Sequence, residues 1–550
     1  MQVSGILSSE GKNIEQDMIA ARGSGFDIIL ISGELYVDHP LSGIGIIARV
    51  LDAQGYKVGV IGRPDWKGDK DFLKLGRPRL FFGLTSGSMD SLLVNYTPLK
   101  RLRSCDPHSP YQSRIPDRAI LVYSNKIKHL FPGSVIVIGG IEASLRRFAH
   151  YDYWEDRLRR SILLDSRADI LVYGPGELQA IEIARRLERG EDLAGISGTC
   201  VVRREVPSDF ELIPSFEEVG ENSELFSRAQ SLFSNCRYLA QGHSNLFVLQ
   251  FPLPDYRSED LDWIYGLPFS REIPKDFPEF AMARFSVVTH RGCLGRCSFC
   301  ALSLHQGDRI ISRKEESILA EIRRLTQHPE FKGYIDDLGG PTANMYGMDC
   351  GKACQEGCFR CPELDRSHSK LIRLMREARE IQGIKKVFVR SGIRYDLAVE
   401  SPEYVRELCD HHISGLLKIA PEHVSEKVLR LMNKEMLPLE EFRQLFQKIN
   451  RGRKQHLKYY FMVAHPGSSP KEARELAQTL RRLERGGERP VEGIQIFTPT
   501  PMTRSACMYF TGKDPLTGES VYVPRTYAEK KEQRRVLCER RRKKWQRKKF

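Results

Sequence analysis

The chain has 550 residues, 41% hydrophobic and 28% charged, the balance of a globular protein built on two or three cores rather than one. No apolar run reaches the roughly 20 residues that span a bilayer, and the opening residues from Met1 lack the charged-then-apolar order of a signal peptide, so a cytosolic protein without membrane contact is expected. The formal net charge of +14 is concentrated, because Lys530–Phe550 holds twelve Lys or Arg against two Glu.

The first part of the chain reads as strands alternating with helices. Phe26–Ser32 is strand-like, Ile44–Gln54 helical and Lys57–Ile61 strand-like, followed by short apolar runs at Leu80–Leu84, Val135–Ile138 and Asp169–Tyr173, and by a helix at Glu177–Glu188. This is the pattern of a doubly wound, flavodoxin-like α/β sheet. Residues 1–205 are therefore read as an N-terminal α/β domain. Residues 206–278 contain Pro214, Pro252, Pro254, Pro268 and Pro274 and read as a connector.

Residues 279–515 repeat the alternation. Strand-like runs at Phe285–His290, Gly333–Leu338, Lys386–Arg390, Gly415–Ala420, Leu457–Val463 and Gly493–Phe497 are separated by helical segments. Ser312-Arg-Lys-Glu315 has the spacing of a capping box before Ile318, Leu319, Ile322 and Leu325. Ser469-Pro470 marks another helix start, with proline at the first helical position. Six β units with helical crossovers imply parallel strands and fit a partial (β/α)6 barrel, whose active site lies at the C-terminal strand ends.

At the end of the first of these strands stands Arg291-Gly-Cys-Leu-Gly-Arg-Cys-Ser-Phe-Cys300. Seven of the thirteen cysteines fall between Cys293 and Cys361, a clustering that in a cytosolic chain favours metal over disulfides. Cys293, Cys297 and Cys300 supply three thiolates, whereas a cubane cluster of about four irons takes four, so one iron is left open for another ligand. A zinc loop or buried free thiols are the alternatives. The spacing, with Phe299 before the third cysteine, resembles the signature of the radical S-adenosylmethionine (SAM) superfamily, in which the open iron chelates the amino and carboxylate groups of SAM.

Further phrases resemble the YgiQ family of radical SAM proteins: Tyr36-Val-Asp-His-Pro40, Pro64-Asp-Trp66, Gly139-Gly-Ile-Glu-Ala-Ser144, Gly339-Gly-Pro-Thr-Ala-Asn-Met-Tyr346, Ala420-Pro-Glu-His423, His465-Pro-Gly467 and Phe497-Thr-Pro-Thr-Pro-Met502. They occur in order over nearly the whole chain. The resemblance implies a cobalamin-binding-like N-terminal domain, a radical SAM core, a [4Fe-4S] cluster, SAM, and an electron donor such as flavodoxin or ferredoxin. It implies no substrate. It places Gly339 and Gly340 where backbone meets the SAM amino group, and glycine there admits close approach of a ligand. Ser391 and Arg394 after the third strand, and Lys418, Glu422 and His423 after the fourth, are further candidates to contact SAM. His465-Pro-Gly467 is a candidate lining of the adenine or substrate pocket.

The insertion at 347–366 holds Cys350, Cys354, Cys358 and Cys361, and four thiolates suit a second iron–sulfur cluster or a closed zinc site equally. A lower-axial histidine motif needs Asp two residues before His. Here Asp38 directly precedes His39 and the glycine is Gly43, so bound cobalamin is not expected. The basic tail, 516–550, is either a solvated terminus or a contact for RNA or ribosome through phosphates. The competing readings are a methylthiotransferase-like use of a second cluster and a zinc-bearing RNA-binding protein without radical chemistry.

Overall fold

The computed structural model describes residues 25–103, 115–233, 235–273, 278–350, 358–434, 439–485 and 491–546. They fold as two units. One takes the chain to Tyr256 with Trp263–Arg284 and Leu304–Gln306; the other takes Arg257–Asp262, Phe285–Ser303 and the chain from Gly307.

The first unit is built on β1 (Ile28–Ser32), β2 (Val58–Gly62), β3 (Phe81–Thr85), β4 (Val135–Ile138), β7 (Ile170–Val172), β8 (Thr199–Arg203), β9 (Glu211–Ile213), β10 (Leu239–His243) and β11 (Leu246–Gln250), with a separate hairpin of β5 (His150–Asp152) and β6 (Arg157–Arg159). Its strand order is β2-β1-β3-β4-β7-β8-β11-β10-β9. The first five of these are parallel, in the 2-1-3-4-5 succession of flavodoxin-like sheets. Strands β1 and β2 are buried at every position, as expected where helices cover both faces of a parallel sheet. The helix Gly43–Ala53 is capped by the Ser42 hydroxyl, which accepts from Gly45 N. It packs Ile44, Ala48 and Leu51 into one core with Ile28, Leu30, Val58 and Val60, and each such fully buried side chain stabilises by about 1.5–3 kcal/mol.

Residues 206–278 are more than a connector. They add β9, β10 and β11 to the same sheet, and hold three helices, Phe216–Glu221, Ser223–Leu232 and Ser258–Gly266. The first helix starts with a full capping box, Ser215 with Glu218. The β10–β11 hairpin closes at Ser244, which takes a positive φ of 56°. Gly242 interrupts β10 and the prolines follow β11, so the short strands are masked by residues that ordinarily break them.

In the second unit, β12 (Val287–Val288) pairs in parallel with β16 (Leu338–Gly339), and β15 (Tyr334–Ile335) with β17 (Lys386–Val387). Ile393 bridges in parallel to Ile419 of β18 (Leu416–Glu422), which pairs with β19 (His456–Val463), and that with β20 (Val491–Ile496). Of the six strand-like runs of the sequence, each is thus joined in parallel to the next, the third to the fourth only through the Ile393 bridge. Ser312 does not cap a helix. It lies in β14 (Ile311–Ser312), antiparallel to β13 (His290–Arg291), and its hydroxyl accepts from Gly347 N at 2.9 Å. The helix Glu315–Thr326 follows with no side-chain cap at Lys314, because strand pairing holds Ser312 away from the helix end.

The basic end is not a frayed terminus throughout. Tyr527–Gln546 is helical. Lys530 is fully buried and donates to the Tyr509 hydroxyl at 2.8 Å, while the Gln533 amide accepts from Ala464 N at 2.9 Å and donates to Ser468 O. Among the described residues no helix is long and apolar enough to cross a membrane.

Candidate active site

The cysteine loop is shaped by its backbone before its side chains matter. Gly292 has a φ of +84°, and a Cβ there would lie 1.7 Å from Arg309 O, so only glycine fits before Cys293. Cys293 N donates to Gly307 O, Ser298 N to Met432 O, and Ser505 N to Ser298 O. The Asn433 amide donates to Arg296 O at 2.9 Å. With the main chain so fixed, all three thiols remain half-buried, and among the described residues their sulfurs meet only long contacts, from Thr342, Arg394 and Leu302 N.

The sulfurs share one neighbourhood. A Cβ on Gly295 would stand 3.4 Å from Cys293 Sγ and 3.6 Å from Cys297 Sγ. Burial raises the pKa of Cys297, against the lowering influence of Lys434 and Arg394, and pushes Cys300 up to about 12. These are neutral thiols until a metal displaces their protons. Among the described residues no three donors close to the shell of a single ion. A cubane does not ask for that, since it gives each thiolate its own iron. Three thiols in one pinned loop, with no fourth in that loop, fit a [4Fe-4S] cluster with one open iron.

The loops after the next strands close around these sulfurs. Beyond Gly339-Gly340, Thr342 Oγ1 lies 3.5 Å from Cys293 Sγ. A Cβ on Gly340 would come within 2.6 Å of the His290 ring, so packing alone demands glycine there, whereas at Gly339 it would meet Ala343 and Ser391 at an ordinary 3.5 Å. The steric argument for close ligand approach therefore rests on Gly339. Ser391 hydrogen-bonds Asp337 through its hydroxyl, and Ser391 N donates to the same carboxylate at 3.2 Å. Arg394 and Asn344 bond reciprocally, Arg394 N to Asn344 Oδ1 at 2.8 Å and Asn344 Nδ2 to Arg394 O at 2.9 Å. The Arg394 guanidinium donates to Cys297 Sγ at 3.8 Å.

The fourth strand departs from its expected end. It runs to Glu422 rather than Ala420, through a register shift that accommodates Pro421. Lys418 lies inside the strand, opposite Lys458, and not after it, by the expected bounds as by the observed ones. Burial and the neighbouring Lys418 lower the Lys458 pKa. Glu422 is held by Lys434 Nζ at 3.2 Å, and the same ammonium donates to Ala420 O. His423 and His465 are both buried, and burial lowers them to about 4 and about 3. Both nitrogens of His465 are engaged, with Pro466 O and Ser505 Oγ, each at 2.7 Å. Its ring lies edge-on to Phe299 at 6.2 Å. His465 thus backs the cysteine loop instead of lining a pocket.

Lys434 and Asp337 were not among the residues expected from sequence, because each reaches the site through a pairing that no local pattern marks, while Thr342 and Asn344 stand in the phrase 339–346 without having been singled out. Of the second cysteine set, Cys354 lies outside the described residues. Cys358 opens the 3-10 turn Cys358–Arg360, and Cys361 N donates back to Cys358 O at 3.1 Å. Cys293, Cys358, Phe359 and Leu364 pack on one small apolar cluster of Leu294, Ile310, Met345, Met348 and Leu397.

In the first unit, His39 does not fit a cobalamin ligand. It is fully buried, Nδ1 accepts from Leu41 N at 3.0 Å, and Nε2 bonds Arg284 O at 2.9 Å. Burial, then the Arg271 charge, lower its pKa to about 3. Asp38 is paired with Arg49 and accepts from Ser270 N at 2.9 Å.

Comparison with known proteins agrees with this geometry. Residues 13–288 match the radical SAM N-terminal family, 287–480 the radical SAM superfamily, and 492–547 a domain of unknown function. A UPF0313 protein of Methanosarcina mazei is 43% identical over 94% of this chain and 93% of its own length. A UPF0313 protein of Methanocaldococcus jannaschii is 44% identical over 94% of this chain and 90% of its own. Among solved structures, the radical SAM methyltransferase TsrM of Kitasatospora setae, with cobalamin and a [4Fe-4S] cluster bound, resembles 93% of this chain and 81% of its own at a TM-score of 0.54 and 16% identity, a likeness of fold.

Proposed function

From the premise that the chain belongs to the UPF0313 family and carries radical SAM domains, we propose that Cys293, Cys297 and Cys300 hold the SAM-binding cluster at the strand ends of the second unit. The chain is a radical SAM enzyme. Its bound cofactors supply one electron to the sulfonium, dividing SAM into methionine and a 5′-deoxyadenosyl radical that takes a hydrogen atom from substrate.

The observation that carries the assignment is convergence. The segments after β13, β16 and β17 meet at two thiols, through Thr342 on Cys293 and Arg394 on Cys297. The successive parallel pairing supports a partial (β/α)6 barrel of the YgiQ type, and such barrels place their chemistry at the C-terminal strand ends. In this reading the backbone at Gly339 and Gly340 receives the SAM amino group. Ser391 and Glu422, oriented by Asp337 and Lys434, face the ribose or carboxylate, and Lys418 stands deeper on the same strand. Arg394 holds a cluster thiolate. The 2-1-3-4-5 order of the first unit supports a cobalamin-binding-like domain, but its one candidate axial histidine is engaged elsewhere, which argues against a histidine-ligated cobalamin.

The test is reductive SAM cleavage by anaerobically reconstituted protein. The parent forms 5′-deoxyadenosine with dithionite or a reduced flavodoxin or ferredoxin, and Cys293→Ala forms none. Parent-like turnover in that variant refutes the assignment. The Cys350, Cys354, Cys358 and Cys361 set is read as a second metal site, iron or zinc to be told by metal analysis. The eleven Lys or Arg of residues 531–550, past the buried Lys530, are read as a contact for RNA phosphates, which predicts retention on RNA that weakens steeply with salt.

A further inference from the structure

Arg394 is fixed at every point where a side chain can be held. Its main chain is clamped from both sides by the Asn344 amide. Its Nε and Nη2 form a fork on the Asp396 carboxylate at 2.9 and 2.7 Å, a two-point geometry that lysine cannot copy. Its Nη1 is left to point at Cys297 Sγ, 3.8 Å away. The flat face of the guanidinium lies over the Phe359 ring, 4.4 Å from the centroid.

Phe359 belongs to the turn that carries Cys358 and leads to Cys361. That turn is held by Arg366, whose guanidinium donates to Phe359 O at 2.5 Å and to Cys361 O at 3.3 Å. A second link is independent of the arginine, since Cys358 and Cys293 pack on the same apolar cluster. The cysteine-rich turn and the cluster loop are thus joined twice, once through carbon and once through a cation aimed at sulfur.

The physics of that cation is directional. Reduction of an iron–sulfur cluster adds negative charge, and hydrogen bonds to its sulfurs are among the features that set its potential. An N–H donor held on a thiolate draws electron density from the sulfur, and the reduced state gains more from it than the oxidised one. Resting on the radical SAM reading, we propose that Arg394 is a positioning residue that raises the reduction potential of the SAM-binding cluster, and that Phe359 makes this potential depend on the cysteine-rich turn. A merely structural Arg394 holds the fold without moving a potential.

The experiment is a redox titration of the full, anaerobically reconstituted chain, followed by the electron paramagnetic resonance signal that SAM perturbs, with iron measured alongside. Arg394→Gln is expected to keep its iron while its oxidised-to-reduced ratio at a fixed donor potential rises about tenfold, that is about 59 mV for a one-electron couple. Phe359→Leu shifts the same way by a smaller factor, and Arg394→Lys lies between parent and Arg394→Gln. A parent-like midpoint in Arg394→Gln overturns the proposal. So does a parent-like midpoint in Phe359→Leu, which removes the aromatic contact between the cysteine-rich turn and Arg394. If Arg394→Gln sheds its iron, Arg394→Lys decides in the same way. A parent chain that takes up no iron refutes the radical SAM reading itself, a separate and distinguishable failure.

Discussion

Two places in this molecule present ligand-type residues in loops that follow parallel strands, and they end differently. In the second unit the cysteine loop fixes its main chain through Gly292, Ser298 and Asn433, and leaves three thiols half-buried beside Arg394 and Lys434. In the first unit Asp38 and His39 follow β1 with their donor atoms already engaged, by Arg49 and Ser270 on one side and by Leu41 and Arg284 on the other. Residue type is the same kind of hint in both. What separates a metal ligand from a structural polar residue is whether its donor atoms are left open once the backbone is satisfied.

The comparison breaks most sharply at Cys300. Cys300→Ser is expected to abolish 5′-deoxyadenosine formation to background, with secondary structure by circular dichroism unchanged; residual turnover within tenfold of the parent contradicts the roles given to the loop. Next in size is Lys434→Met, which leaves the mostly buried Glu422 without its cation. Removing one partner of a buried pair costs about 3–5 kcal/mol, read as a lower denaturant midpoint, and a midpoint at the parent value shows Glu422 to be solvated instead.

A smaller, distributed effect concerns pH. Burial lowers His39, His150, His243, His290, His368, His423 and His465 to between about 3 and about 4. Above an unfolded pKa of roughly 6.5 both states are neutral and these groups contribute nothing to the pH dependence. Below it the unfolded chain takes up protons that the folded chain refuses, so stability falls as pH drops from there toward the folded values. Each histidine contributes a slope of up to about 1.4 kcal/mol per pH unit. Urea midpoints measured on either side of that pH should fall steeply on the acid side, and less so for His39→Gln. A flat profile contradicts the neutral, buried assignment. The smallest expected effect is on cobalamin. His39→Ala lowers stability but leaves any cobalamin absorbance spectrum of the chain unchanged, whereas loss of a nitrogen-ligated spectrum in that variant erases the contrast between the two units.

Much of this was legible in the residues. The strands β1 to β4 announce themselves as apolar runs, because a parallel sheet buried on both faces needs little alternation, whereas β18 and most of β19 alternate buried with half-buried positions. The grouping of Cys293, Cys297 and Cys300 was legible because all three fall within one short loop. Other features were hidden for physical reasons. The β10–β11 hairpin lay behind Gly242 and a cluster of prolines. The Ser312 box failed because β14 claims its residues first, while an unremarked Ser215 box formed at a true helix start. Pro421 concealed the last residues of β18, which brings Glu422 from after the strand to its last position. Lys434 and Asp337 act on the site through pairings that exist only after folding, Lys434 with Glu422 and Asp337 with Ser391, and no local spacing encodes them.

The most direct test of the central claim is the iron and sulfide content of anaerobically reconstituted protein beside a Cys293/Cys297/Cys300→Ala variant. The account predicts about four irons in the parent that are lost in the variant, or about eight that fall to four if the cysteine-rich insertion also holds a cluster. Equal iron in parent and variant, or zinc in place of iron at the loop, contradicts it.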